Sequence, residues 1–167
     1  MDSPTYIAPA SSISPSFEHI KEIFQQAGIE THISQNLDTL IWGKLIINVG
    51  INALAAILRV PNGILGITPE SEKIMEQAVN EAVNIAGALN IELPYENPVE
   101  QVKTVCEKTS ANQASMLQDI LRGARTELGV INQAIVTKGE ELGINTPCNG
   151  FLSEIIEALE ATAKNRI

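Results

Sequence analysis

The residues best suited to chemistry sit in the stretch WGKLIINVGINALAAIL, Trp42 to Leu58, which is almost wholly apolar yet carries Lys44, Asn48 and Asn52. On an α-helix a step of four residues turns about 400°, so these three side chains form one slowly spiralling stripe. An amide buried dry costs about 1–3 kcal/mol unless it is hydrogen-bonded, and an unpaired ammonium costs more. Two readings follow from the pattern. The asparagines bond to neighbouring helices while Lys44 reaches the surface along its own stem, or the stripe floors a wet cleft. In the second case the amides offer both donors and acceptors to a polar ligand, and the lysine donates a proton or holds an anion.

A second polar cluster lies in SMLQDILRGARTE, with Ser115, Asp119, Arg122, Arg125 and Glu127. By itself it reads as a solvated helix face with pairs four residues apart. Pro61-Asn62-Gly63 reads as a turn. The chain has no GxGxxG, no P-loop and no GxSxG, and its two histidines and two cysteines have no metal-ligand spacing. Cys106 and Cys148 read as free thiols, and no metal is expected.

The elements that must carry these residues are helical. Ser14-Pro15 opens a helix with Phe17, Ile20, Ile23, Phe24 and Ala27 at helical spacing, stopped by Gly28. IETHIS alternates with period two, a short strand whose sheet partners are expected outside the chain. A long helix from about Asp38 to Leu58 ends in a turn, RVPNGILG. Thr68-Pro69 starts another, with Ile74, Ala78, Val79, Ala82, Val83 and Ala86 inward. A loop at LPYENP, a helix over VEQVKTVCEKT, a helical region broken near Gly123–Thr126 with Thr126 as cap, and a last helix opened by Thr146-Pro147 complete the chain. The fold class is all-α.

Composition narrows the function. Aromatics make up 4%, so the core is aliphatic, and 44% hydrophobic with 19% charged residues is ordinary for a globular domain. At 167 residues one domain is expected. The net charge of −9, with no Lys/Arg cluster, repels nucleic acid and an anionic membrane surface. The first residues lack the basic and apolar regions of a signal peptide. Leu45–Leu58, interrupted by two asparagines, falls short of the ~20 apolar residues of a spanning helix. A cytoplasmic protein is expected.

Taken together, WGKLIINVGINALAAILRVPNG and then SMLQDILRGARTELGVINQAIVTKGEELGINTPCN strongly resemble the C-terminal domain of the ketopantoate reductases (2-dehydropantoate 2-reductases). The shared pattern is W-x-K-x-x-x-N-x-x-x-N, then P-N-G, then S-M-x-x-D with T-E, then P-x-N, over about residues 17–160. The resemblance implies a helical domain of the 6-phosphogluconate-dehydrogenase-like type, closing on an N-terminal Rossmann domain that binds NADPH and is absent from this chain. It implies that Lys44 is the general acid for the ketone oxygen, and that Asn48, Asn52 and Ser115 bind the substrate, the serine through its carboxylate. Glu127 matches the acidic partner near the lysine and the ligands, where it would position Lys44 by charge and hydrogen bonding and contact the cofactor. Asn62 and Asn112 match positions close to the substrate, and Asp119 matches a structural one that bonds the Arg122–Thr126 segment.

The expected organisation is an arm over residues 1–13, a junction helix and short strand over 14–36, and the helical substrate-binding domain over 37–167. The partners expected are a small 2-keto acid, the chain's own Rossmann half, and a second copy joined through apolar surface that the missing half would cover. Reduction of another 2-keto acid, or a helical interaction module without catalysis, are the alternatives.

Overall fold

The computed structural model describes residues 4–9, 15–34 and 36–165. The predicted arm and the Ser14 helix start lie largely outside these residues. Within residues 4–9, however, Thr5–Ile7 is a strand, β1. Helix α1 (Pro15–Gln26) crosses over to β2 (Thr31–Ile33), which pairs with β1 in parallel, Thr5 opposite Thr31 and Ile7 opposite Ile33. The IETHIS strand therefore has its partner inside this chain, contrary to the sequence reading. The three-residue strand TYI is too short to show alternation. On α1, Ile20 and Ile23 remain 39% and 48% exposed, so the helix packs only part of its apolar face.

The remainder is helical: α2 (Leu37–Leu58), α3 (Asn62–Ile67), α4 (Pro69–Ala88), α5 (Pro98–Lys108), α6 (Ser115–Arg122), a 3-10 turn at Leu128–Val130, α7 (Asn132–Leu142) and α8 (Pro147–Ala161). Helix α2 begins where the Asn36 side chain accepts from Thr39 N at 3.1 Å, and ends at Arg59 in the left-handed region, φ 55°. It is the axis of the domain. From Val49 to Ala56 every residue is buried, with α4, α5, α6 and α8 packed around it. At 22 residues it is long and apolar enough to cross a membrane by length and composition, so the length argument above fails. Its surroundings are those of a core helix.

RVPNGILG is a turn only as far as Pro61; Asn62–Ile67 forms α3. Gly63 is needed there because α3 lies almost against the α5 terminus. A Cβ on Gly63 would stand 2.6 Å from Ser110 Cβ, and Gly63 N donates to Ser110 O at 3.2 Å. The core cluster draws on Ile46 through Ile156, with Met75 and Ile85 of α4 among its fully buried members beside the alanines and Val79 read from the sequence.

Two polar devices tie the helices. The carboxylate of Glu81 on α4 accepts from Cys148 N at 2.7 Å and Asn149 N at 2.9 Å, capping α8 in place of Thr146, whose side chain makes no cap bond. Asn149, fully buried, donates to Glu81 Oε2 at 2.7 Å and Ala78 O at 3.0 Å, and accepts from Asn132 Nδ2 at 2.9 Å. Asn132 Nδ2 also donates to Val49 O at 3.3 Å. Lys103 on α5, held between Glu72 of α4 and Glu100, has its ammonium pushed up to about 12 by those hydrogen bonds. Both cysteines are free thiols, as read, and burial raises each to about 11, so they stay protonated at neutral pH.

Asn149→Ala removes one acceptor of the Asn132 amide and the donor to Glu81 Oε2 and Ala78 O in an otherwise aliphatic core. It is expected to lower stability by about 3 kcal/mol, read as a lower midpoint in urea unfolding. Gly63→Ala should cost about 1–3 kcal/mol through the forced separation of α3 from α5, measured the same way.

Candidate active site

The first half of α2 differs from the second. Ile41 and Lys44 are exposed, and Asn48 is half-buried, on this side of the N-terminal turns. Across from them the chain runs from the end of α6 through residues 123–127 into the 3-10 turn. Lys44, Asn48 and Glu127 meet around one open hollow of about 260 Å³, whose other walls are Ile41, Leu45, Val130 and Ile131. One cation, one amide and one carboxylate thus face a small space with four aliphatic walls. Lys44 and Glu127 share it without an ion pair, and Lys44 has no salt bridge among the described residues.

Glu127 is held in place from α8. Thr126 N and Oγ1 both donate to Glu160 Oε1, at 2.8 and 2.6 Å, and Thr126 Oγ1 accepts from Leu128 N at 3.2 Å. Thr126 therefore caps the 3-10 turn rather than an α-helix. Glu160 does the work that the sequence reading gave to Asp119. Asp119 contributes only its carbonyl, which accepts from Ala124 N at 2.9 Å, because its own helix has already ended at the left-handed Gly123, φ 67°. Arg122 bonds Gln118 Oε1 at 3.0 Å, a pair four residues apart as expected for a solvated face.

The other candidates stand apart from this hollow. Asn52, one turn beyond Asn48, is 5% exposed. Its side chain forms no hydrogen bond with another described residue, so the reading that both asparagines bond to neighbouring helices does not hold for it. Ser115 is exposed at the first position of α6, which packs along α2. Asn62 is buried; its Nδ2 donates to Thr109 Oγ1 at 3.0 Å, while its Oδ1 has no protein partner. Asn112 is exposed, and its carbonyl accepts from Asn62 N at 3.0 Å. Ile41 and Val130 were missed as site residues. Their signal was spacing: Ile41 lies three before Lys44, and Val130 three after Glu127.

A larger hollow, about 730 Å³, lies elsewhere, among α2, α4 and α8. Its walls hold amides and a single carboxylate but no lysine, so it lacks the cation of the Lys44 hollow.

Comparison with known proteins agrees with the helical fold. The family model described as "Ketopantoate reductase PanE/ApbA C terminal" matches residues 36–160. A 2-dehydropantoate 2-reductase of Pyrobaculum aerophilum is 34% identical over 142 residues, covering 85% of this chain and 50% of the relative. A crystal structure of a PanE/ApbA family ketopantoate reductase from Ralstonia eutropha JMP134 superposes with a TM-score of 0.87 at 29% identity, over 97% of this chain and 53% of that one. A D-mandelate dehydrogenase solved with NADH and anilino(oxo)acetate gives 0.84 at 28% identity, over 95% and 67%. The chain spans about half the length of the curated relatives it matches. With a family model matching residues 36–160 and a helical fold shared with solved relatives, this chain belongs to the ketopantoate reductase C-terminal domain family.

Proposed function

We propose that this chain is the substrate-binding half of an NADPH-dependent 2-dehydropantoate 2-reductase, which reduces ketopantoate to pantoate on the way to pantothenate, in the cytoplasm. The observation that supports the reading most is the convergence of Lys44, Asn48 and Glu127 on one small hollow. Its volume of about 260 Å³ suits a small keto acid and is too small for a dinucleotide. The cofactor would therefore be held mainly by the N-terminal half, with Glu127 at the rim accepting hydrogen bonds from its nearer end. The exposed apolar residues of the β1–α1–β2 unit, Tyr6, Ile20, Ile23 and Ile29, are the surface that such a half would cover.

When bound, the cofactor supplies hydride to the carbonyl carbon. The chain's own residues handle the rest. Lys44 Nζ donates a hydrogen bond to the ketone oxygen and then the proton, so that negative charge developing on oxygen is neutralised as it forms. The ammonium is restored from solvent, to which Lys44 is open. Asn48 presents its amide to the substrate inside the hollow, and Asn52, Ser115, Asn62 and Asn112, which lie outside it, are assigned to substrate binding by the family resemblance alone. Glu127 sets the field at Lys44 across the hollow.

A second reading is reduction of a different 2-keto acid, favoured by the similarity to D-mandelate dehydrogenase, since both readings use the same lysine and differ only in the side chain to be accommodated. A helical interaction module without catalysis would retain the fold but need none of the three converging polar groups.

The test is NADPH oxidation by the protein carrying its N-terminal half, with ketopantoate against other 2-keto acids. Ketopantoate is expected to give the highest kcat/KM. Lys44→Ala should lower kcat by about 10²–10⁴-fold with an unchanged melting midpoint, because Lys44 is exposed and unpaired. A higher kcat/KM with another keto acid selects the second reading, and a fully active Lys44→Ala overturns the assignment of the proton donor.

A further inference from the structure

The carboxylate that shares the hollow with Lys44 stands on a segment with little around it. Helix α6 has ended at Gly123, and the 3-10 turn begins only at Leu128. In front of the segment is the Lys44 hollow. Behind it lies a second hollow, of about 540 Å³, whose walls include Arg125, Thr126, Gln133, Glu157 and Glu160. A Cβ on Gly123 or Gly129 would meet no atom within 4 Å. Of residues 123–130 only Leu128 is buried. Its side chain fixes where the segment sits, but aliphatic contact alone leaves the peptide planes free to turn.

Hydrogen bonds must therefore orient Glu127, and those of both its neighbours end on one pair of side chains. Thr126 N donates to Glu160 Oε1 at 2.8 Å, and Leu128 N donates to Thr126 Oγ1 at 3.2 Å. The same hydroxyl donates to Glu160 Oε1 at 2.6 Å, which closes the set. The peptide units on either side of Glu127 are thus latched to the last turn of α8, thirty-four positions further along the chain. Glu160 forms no ion pair among the described residues. Its oxygen serves the latch.

We infer that Glu160 and Thr126 are positioning residues for the reaction, which together aim the Glu127 carboxylate at Lys44 and at the nearer end of the cofactor. The inference rests on the reading above, in which Glu127 works at the Lys44 hollow. Both residues line the rear hollow and not the front one, so they reach the reacting groups only through Glu127. Lys44 and Asn48 are carried by α2 and do not depend on the latch. Its loss lowers kcat and raises the KM for the cofactor, while the KM for the keto acid changes little. The latch needs an oxygen acceptor rather than a charge, and a glutamine carbonyl has the same reach.

The test uses the protein carrying its N-terminal half, with NADPH and its best keto acid, in a double-mutant cycle between Glu160 and Glu127. Glu160→Ala is expected to lower kcat by about 10–100-fold with helical circular dichroism retained, and Glu160→Gln to recover most of it. Thr126→Val keeps the side-chain shape without the hydroxyl and should fall in the same direction, with Thr126→Ser recovering. In a Glu127→Ala background Glu160→Ala should have no further effect, because the group it positions is gone. Glu157→Ala, an exposed carboxylate lost one turn earlier on α8, should leave kcat unchanged. An active parent overturns this proposal alone if Glu160→Ala or Thr126→Val turns over like the parent, if Glu160→Gln is as impaired as Glu160→Ala, or if the Glu127 and Glu160 losses multiply. A parent that reduces no keto acid, or a fully active Glu127→Ala, overturns the reading of the site and the proposal with it.

Discussion

The arrangement of the helices depends on one buried polar junction. Glu81, Asn149 and Asn132 join α4, α8 and α7 to the carbonyl of Val49 on α2, through bonds of 2.7–3.3 Å in an otherwise aliphatic core. Leucines and alanines alone tolerate sliding of one helix past another, because dispersion contacts have no preferred register. Amides and a carboxylate do not tolerate it, since a slip of one residue would leave several donors and acceptors dry at once. The Asn132 Oδ1 atom is already left without a protein partner, so part of that cost is present in the native state. The junction therefore fixes which turn of α2 faces which turn of its neighbours.

The candidate active site inherits its geometry from that register. Lys44 and Asn48 lie on the same rigid helix that Asn132 grips at Val49, only one residue beyond Asn48. Glu127 lies on the opposite side of the hollow, and its segment is fastened to α8 by Glu160 through Thr126. Helix α8 is in turn fastened to α4 by Glu81. Every polar wall of the hollow is thus referred back to the same helix bundle, although residues 123–127 form no regular helix. Short-range bonds along α2 and longer ones through α8 bring together groups separated by more than eighty positions in sequence.

The helices were legible because their signals are local: proline at the first turn in α4 and α8, glycine at the end of α6, and aliphatic residues at helical spacing between them. The stripe of Lys44, Asn48 and Asn52 was legible for the same reason, and family resemblance supplied its chemistry. What the sequence hid was non-local. A three-residue strand such as TYI has no period to detect, so the partner of β2 went unseen. Glu81 and Glu160 look like ordinary surface acids within their own helices, and only packing turns one into the cap of α8 and the other into the anchor of Thr126. Gly63 resembled half of a turn until the close approach of Ser110 gave it a reason.

The encasement of α2 bears on how such a protein diversifies. From Val49 to Ala56 no side chain reaches open water, and the small residues Gly50, Ala53, Ala55 and Ala56 mark where neighbouring helices come close; a Cβ on Gly50 would stand 2.9 Å from both Val102 and Val79. That length of helix has almost no room for drift, since larger residues collide and polar ones are stranded. The aliphatic walls of the hollow, by contrast, sit at a helix end and in a 3-10 turn, where Ile41 and Val130 are half or more exposed. Changes of size there alter the shape offered to a ligand without touching the core. A scaffold of this kind acquires new substrates at its mouth while its interior stays fixed, so relatives acting on different keto acids can share one frame.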